Sequence, residues 1–269
     1  MEHSGARIDF SNVELVYDDG AGYLAAVHDL DIVVEPGEAI ALIGPSGCGK
    51  STILRMTSGV LAPTGGSVLV NGVPVEKPRQ ETALIQQDLG LFPWKTVLQN
   101  AALGLIVRKV PKSLANDRAQ RALEEVGLGG FERSYPKDLS GGMRQRLALA
   151  RALAMDADLF LMDEPLSAVD ALLRESLQDV LLGLWKERRH TQLLVTHSIE
   201  EAVYLGTRVL VFSSRPATVV ADIPNSEMGS DGWRDSAGFA AKCHEVRQAL
   251  AKGAEIAADV QDKAQEVLS

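Results

Sequence analysis

The sequence predicts an α/β fold, in which a mostly parallel sheet is wrapped by helices and joined to an antiparallel β portion and a helical insert. Three observations carry that prediction. Glu38-Ala39-Ile40-Ala41-Leu42-Ile43 is a nearly continuous apolar run, the mark of a strand buried on both faces. It points into a stretch from Gly44 to Gly49 with a proline and three glycines, after which Ser51-Thr52-Ile53-Leu54-Arg55-Met56 resumes with helical spacing. Further along, strand patterns at Asp158–Met162, Gln192–Val195 and Arg208–Phe212 alternate with amphipathic stretches such as Ala171–Glu187, which is how a parallel sheet is written in sequence.

Ahead of this core, apolar residues fall at roughly every second position over Arg7–Tyr17 and Leu30–Glu35, with Val and Ile prominent. This spacing predicts half-buried strands in an antiparallel opening sheet. Between Thr96 and Leu139 the strand signals vanish. Helical stretches at Val97–Val107 and Asn116–Val126 replace them, separated by Pro111 and closed by Gly127 to Gly130. After Pro224 the segment Asn225–Gly238 is polar and glycine-bearing. In the following Ala240–Leu268, Val246, Leu250, Ile256, Val260 and Leu268 recur at helical intervals. A linker over 224–239 and a helical appendage over 240–269 are expected, and no internal repeat or low-complexity tract is evident.

Composition narrows the function. At 269 residues, 46% hydrophobic and 23% charged, the chain matches folded soluble proteins and is long enough for a sizeable core. Apolar runs such as Ala101–Val107 and Leu181–Trp185 are broken well short of the roughly 20 residues a spanning helix needs. Met1-Glu2-His3-Ser4-Gly5 lacks the basic start and apolar core of a secretory signal, so a cytoplasmic location is expected. The two cysteines, Cys48 and Cys243, lack the spacing of a disulfide framework or a zinc site. A net charge of −9 opposes sequence-independent attraction to nucleic acid, so none is expected as a partner.

The chemistry sits in two places. Gly44-Pro45-Ser46-Gly47-Cys48-Gly49-Lys50-Ser51 has the P-loop pattern, in which successive backbone N–H groups surround phosphate oxygens and side chains would obstruct the approach. The helix beginning at Lys50 turns its positive dipole end to the same anion. Lys50 can reach the β and γ phosphates, and the Ser51 hydroxyl, followed by Thr52, can ligate Mg²⁺. Cys48 reads as a small filler within the loop. Downstream, Leu159-Phe160-Leu161-Met162-Asp163-Glu164 is an apolar strand ending in two carboxylates, and strand tips are where ligands of α/β sheets sit. Asp163 would hold Mg²⁺, and Glu164 would orient and deprotonate the water attacking the γ phosphate.

Leu139-Ser140-Gly141-Gly142-Met143-Arg144-Gln145-Arg146 stands just before the helical run Leu147–Ala154, placing a serine and two glycines at a helix N-terminus, a second anion site. With this octamer the chain resembles the ABC ATPase family over about Arg7 to Ile223. The motifs that carry the likeness are the P-loop, Gln87, the signature from Leu139, the Asp163-Glu164 pair, Ser167-Ala168-Val169-Asp170 and His197. The resemblance implies an ABC ATPase domain over 6–223, with a helical signature-motif subdomain inserted at about 96–154. It implies a head-to-tail dimer in which ATP on one subunit's P-loop is covered by Ser140, Gly141 and Gly142 of the partner subunit. It further implies that Gln87 senses Mg²⁺ and the attacking water, that Asp170 communicates across the dimer, and that His197 contacts the γ phosphate. Gln86 competes for the glutamine role, and Gln87 is preferred because it lies six residues before the proline of Leu91-Phe92-Pro93-Trp94. Tyr17 resembles the aromatic on which adenine stacks, with Tyr23 close enough to compete.

The stretch Asp88–Lys95 and the Met143-Arg144 variant of the signature are similar to ATPases serving importers of nitrate, taurine and alkanesulfonates. That likeness implies membrane permease subunits and a periplasmic solute-binding protein as partners, and a peripheral place on the cytoplasmic face of the cell membrane. The alternative is a soluble ABC ATPase acting on nucleic acid or the ribosome, a class that typically adds fused cassettes, coiled coils or basic extensions.

Overall fold

The computed structural model describes residues 5–18, 20 and 22–268, with side chains through Gly253. The expectations resting on Met1–Ser4, and on the side chains of Ile256, Val260 and Leu268, lie outside these. Two compact units organise the chain, one from the segments up to Arg79 and from Arg189 onward, the other from Gln80–Arg188.

In the first unit, β1 (Ile8–Asp18), β2 (Tyr23–Val34), β4 (Gly65–Val70) and β5 (Val73–Pro74) form an antiparallel sheet in the order β2-β1-β4-β5. Alternation along β1 buries Ile8 and Phe10, and after a register shift between Phe10 and Val13 it buries Val13 and Leu15. The strand expected from Leu30 begins seven residues earlier, at Tyr23. Cross-strand pairing to β1 recruits the mixed segment Tyr23–Asp29 that its own residues do not announce.

The same unit carries β3 (Ala39–Ile43), β8 (Thr191–Val195), β9 (Arg208–Phe212) and β10 (Val219–Pro224). Strand β3 pairs in parallel with both β8 and β9, and its five residues are all buried, which is why its sequence reads as an unbroken apolar run. β10 pairs antiparallel to β9 and ends at Pro224, a residue that suits an edge because it has no N–H to give. Between β8 and β9, α7 (Ile199–Leu205) is capped by Ser198, whose hydroxyl accepts from the Glu201 N–H at 3.1 Å.

The polar segment after Pro224 closes on this core. Asn225 is buried and donates to the carbonyls of Val203 and Gly206 at 2.8 and 2.7 Å. Trp233 is also buried, and its indole N–H donates to the Val203 carbonyl. Helix α8 (Ala237–Leu268) follows, and its Cys243 and Val246 pack with Ala41 and Ile43 of β3, Val209 and Val211 of β9, and Trp233.

The second unit holds a parallel pair, β6 (Thr82–Ile85) with β7 (Leu159–Asp163), and a helical portion. Its helices are α2 (Val97–Ala101), α3 (Leu103–Val107), α4 (Lys112–Glu125), α5 (Gly141–Leu153) and α6 (Ala171–Arg188). The single helix expected over Val97–Val107 divides at Ala102, although the bonds Ala102 N–H to Leu98 O and Ile106 N–H to Ala102 O carry the helical path through. Thr96 starts it with a capping box closed by Gln99. The helix expected from Leu147 starts six residues earlier, because Ser140 caps it and the two glycines lie inside its first turn.

Trp233→Ala is expected to cost about 3–5 kcal/mol, since it empties a buried aromatic site and abandons a hydrogen bond. Chemical denaturation of the purified chain measures it.

Candidate nucleotide site

In the first unit the P-loop runs from Gly44, at the tip of buried β3, into α1 (Lys50–Thr57). Its apex, Pro45-Ser46-Gly47, is exposed, while Cys48 and Lys50 are buried. The helix N-cap is Gly49, which has no side chain and so offers no side-chain cap to the first turn. Only glycine fits there, because φ is 129° and a Cβ would overlap the Ala26 carbonyl. Lys50 folds over the loop and its Nζ donates to the carbonyls of Gly44 and Pro45 at 2.8 and 2.7 Å. Uncapped helix donors beside a lysine held at the same loop are what a phosphate chain requires.

Strand register brings His197 to this loop. Leu42 lies opposite Val195, and the Thr196 N–H donates to the Leu42 carbonyl at 3.2 Å, so Gly44 and exposed His197 each follow the paired positions by two residues. Tyr17 also comes to it: its hydroxyl lies 3.4 Å from the hydroxyl of Thr52 in the first turn of α1. Tyr23, by contrast, is 83% exposed.

A third neighbour was not legible in the sequence. Exposed Arg215, just past β9, donates through Nε and Nη2 to the Gly47 carbonyl at 3.0 and 2.6 Å. Its pairing with the loop follows from β9 lying beside β3, a tertiary fact with no local signal. Cys48 stands 3.6 Å from Lys50 Nζ and fills the loop's interior.

In the second unit the remaining residues collect at one strand end. Ile85 pairs with Met162, so Gln87 and Glu164 each sit two residues past the same rung of the β6–β7 pair. Asp163 is 7% exposed, and Glu164 is half-buried with a left-handed φ of 50°. Gln86 and Gln87 are both exposed on the loop that follows β6. That loop is braced by Arg151 of α5, which donates to the carbonyls of Leu89 and Gly90, both at 2.6 Å. Burial lowers the pKa of this arginine, an effect opposed by nearby Asp88.

Ser140 caps α5, its hydroxyl accepting from the Met143 N–H at 3.3 Å, and Ser140 and Gly141 are exposed. A Cβ on Gly142 would stand 3.1 Å from the Ala168 carbonyl, so that glycine lets the helix approach the turn after β7. Asp170 is exposed and its Oδ1 accepts from the Leu173 N–H at 3.1 Å, starting α6. Gln145, which the sequence singled out only as part of an octamer, is buried against the same turn.

What the loop at Gly44–Ser51 is shaped to hold is a chain of phosphates, and the molecule is in that sense a P-loop nucleotide-binding protein. Comparison with known proteins narrows the class: residues 27–167 match the family model described as ABC transporter, and the chain belongs to that family. It is 44% identical over 216 residues to the taurine import ATP-binding protein TauB of Burkholderia pseudomallei, covering 80% of this chain and 83% of that protein. A protein of the same description from Pelagibacter ubique is 41% identical over 82% of this chain and 84% of its own length. Among solved structures, a dimeric ATP-binding cassette in a post-hydrolysis state, bound to ADP and phosphate, superposes with a TM-score of 0.75 at 28% identity. The match covers 81% of this chain and 98% of that one.

Arg215→Ala is expected to weaken nucleotide triphosphate binding roughly three- to fivefold by removing an exposed, charge-assisted brace on the loop. Titration with a fluorescent ATP analogue reads it, with circular dichroism to show the fold is retained.

Proposed function

We propose that this chain is the ATP-binding and hydrolysing subunit of an ABC importer, which energises uptake of a small nitrate-, sulfonate- or taurine-like solute through separate membrane permease subunits. The single observation that carries the ATPase reading is the uncapped N-terminus of α1 with Lys50 folded onto the loop before it. The kinship with taurine import ATP-binding proteins over four-fifths of the chain supports import, and favours it over a soluble class acting on nucleic acid or the ribosome.

In this reading the loop Gly44, Pro45, Ser46, Gly47, Cys48 and Gly49 and the helix start at Lys50, Ser51 and Thr52 cradle the phosphates through their backbone N–H groups, Pro45 having none and serving only to shape the turn, and Tyr17 stacks on adenine. Mg²⁺ would be held by Ser51, Asp163 and Gln87, all oxygen donors of the kind that ion takes, and would neutralise charge on the β and γ phosphates. Glu164 takes the proton from the attacking water. Gln87 orients that water, and His197 and Lys50 meet the negative charge that builds on the γ phosphate.

Two copies close head to tail, and Ser140, Gly141 and Gly142 of the partner subunit cover the triphosphate while Asp170 links the two sites. The dimeric relative bound to ADP and phosphate supports pairing. Closure driven by ATP is the step transmitted to the permease, and a periplasmic solute-binding protein selects the cargo. Among the described residues no helix is long and apolar enough to cross a membrane, so the permease supplies the path. Trp94, 69% exposed and in edge contact with Phe92 at 5.3 Å between ring centroids, offers an aromatic surface for docking at the cytoplasmic face.

Glu164→Gln is expected to keep ATP affinity, lower turnover by about a hundredfold or more, and accumulate an ATP-bound dimer. Steady-state phosphate release and size-exclusion chromatography with Mg-ATP check it, and wild-type turnover in that variant removes Glu164 as the base. Lys50→Ala is expected to raise the Kd for ATP about tenfold or more. Import itself is tested by co-purification with a polytopic membrane protein and by loss of taurine or sulfonate uptake in cells lacking this chain.

A further inference from the structure

The turn that follows β7 is held by one buried side chain of the signature helix. Gln145 is 3% exposed. Its Nε2 donates to the Glu164 carbonyl at 2.8 Å and to the Ser167 hydroxyl at 3.2 Å, while its Oε1 accepts from the Ala168 N–H at 2.7 Å. One amide therefore grips both ends of residues 164–168. The Glu164 carbonyl takes further bonds from the Ser167 hydroxyl at 3.1 Å and the Ser167 N–H at 3.3 Å.

Glu164 needs this grip. A φ of 50° is a conformation that a residue with a side chain seldom holds unless its surroundings enforce it. Fixing the carbonyl fixes the peptide plane after Glu164 and, with it, the direction in which its Cα–Cβ bond leaves the chain. The reach of Gln145 depends in turn on Gly142, three residues earlier on the same helix face, where a side chain would press on the Ala168 carbonyl. The second glycine of the signature thus has a use within its own subunit: it lets α5 come close enough for an amide to bridge.

We infer that Gln145 is a positioning residue for hydrolysis, which locks the Glu164 backbone in its left-handed conformation so that the turn bearing the base moves as one piece with the signature helix. The inference rests on Glu164 being the base. An amide is required at 145 because the site asks for a donor toward Glu164 and an acceptor toward Ala168 from the same group. Leucine supplies neither. Glutamate keeps the acceptor and replaces the donor with a second oxygen facing a carbonyl.

The test compares Gln145→Leu, Gln145→Glu and Glu164→Gln in the full chain, with Mg-ATP turnover, ATP affinity and thermal unfolding measured on each. Both Gln145 variants are expected to lose about tenfold or more in kcat while KM for ATP stays within about twofold. Adding Gln145→Leu to Glu164→Gln is expected to cause no further loss in single-turnover hydrolysis, since the two act through one group. Unchanged kcat in both Gln145 variants beside an inactive Glu164→Gln overturns the role of Gln145 and leaves the base in place. Additive losses in the double variant also overturn it. Full activity in Glu164→Gln overturns the base and the inference together. Should Gln145→Leu fail to fold, the isosteric Gln145→Glu decides the question on its own turnover.

Discussion

A helix whose first turn has no side-chain cap is ordinarily a defect, and here it is the constraint around which the first unit is arranged. Gly49 offers α1 no capping oxygen, and the loop before it must then present its backbone to an anion. That demand explains glycine where φ reaches 129°, Lys50 tied to the loop's own carbonyls, and the depth at which β3 is buried so that its tip is rigid. Arg215 completes the arrangement by fastening the apex of the loop from the neighbouring strand.

In the second unit the corresponding organiser is α5. Arg144 donates to the Leu139 carbonyl, Arg146 to the carbonyls of Val126 and Gly127, and Arg151 to the loop after β6. Burial lowers the pKa of Arg146 and of Arg151, opposed by Asp170 in the first case and Asp88 in the second. Their hydrogen bonds to main-chain oxygens compensate the loss of water. Three stretches of chain therefore take their positions from the arginines of this helix, the loop carrying Gln87 among them, and the turn carrying Glu164 is held by its Gln145.

Much of this was legible because the strongest signals coincide with the chemistry. A five-residue strand buried on both sides must be apolar throughout, and a phosphate loop must be rich in glycine, so β3 and Gly44–Ser51 announce themselves. The Asp163-Glu164 pair at the end of β7 and the cap at Ser140 are equally local facts. Other elements are defined only by their neighbours. β6 has four residues and β10 lies at an edge, too short or too mixed for periodicity to mark them. Arg215 and Gln145 look like ordinary polar residues in sequence, because what distinguishes them is a carbonyl met across the fold. The polar composition of 225–238 hides buried Asn225 and Trp233 for the same reason.

The packing of α8 bears on how the chain comes to be made. Ala41 and Ile43, which carry the phosphate loop at the end of β3, share their apolar cluster with Cys243 and Val246, two hundred positions later in the order of synthesis. Until those residues emerge from a translating ribosome, the strand's lining on this side is limited to earlier neighbours such as Ala202, Val203, Val209 and Val211. The strand that carries the phosphate loop therefore reaches its full packing only after residues near 246 have been made, long after the loop itself.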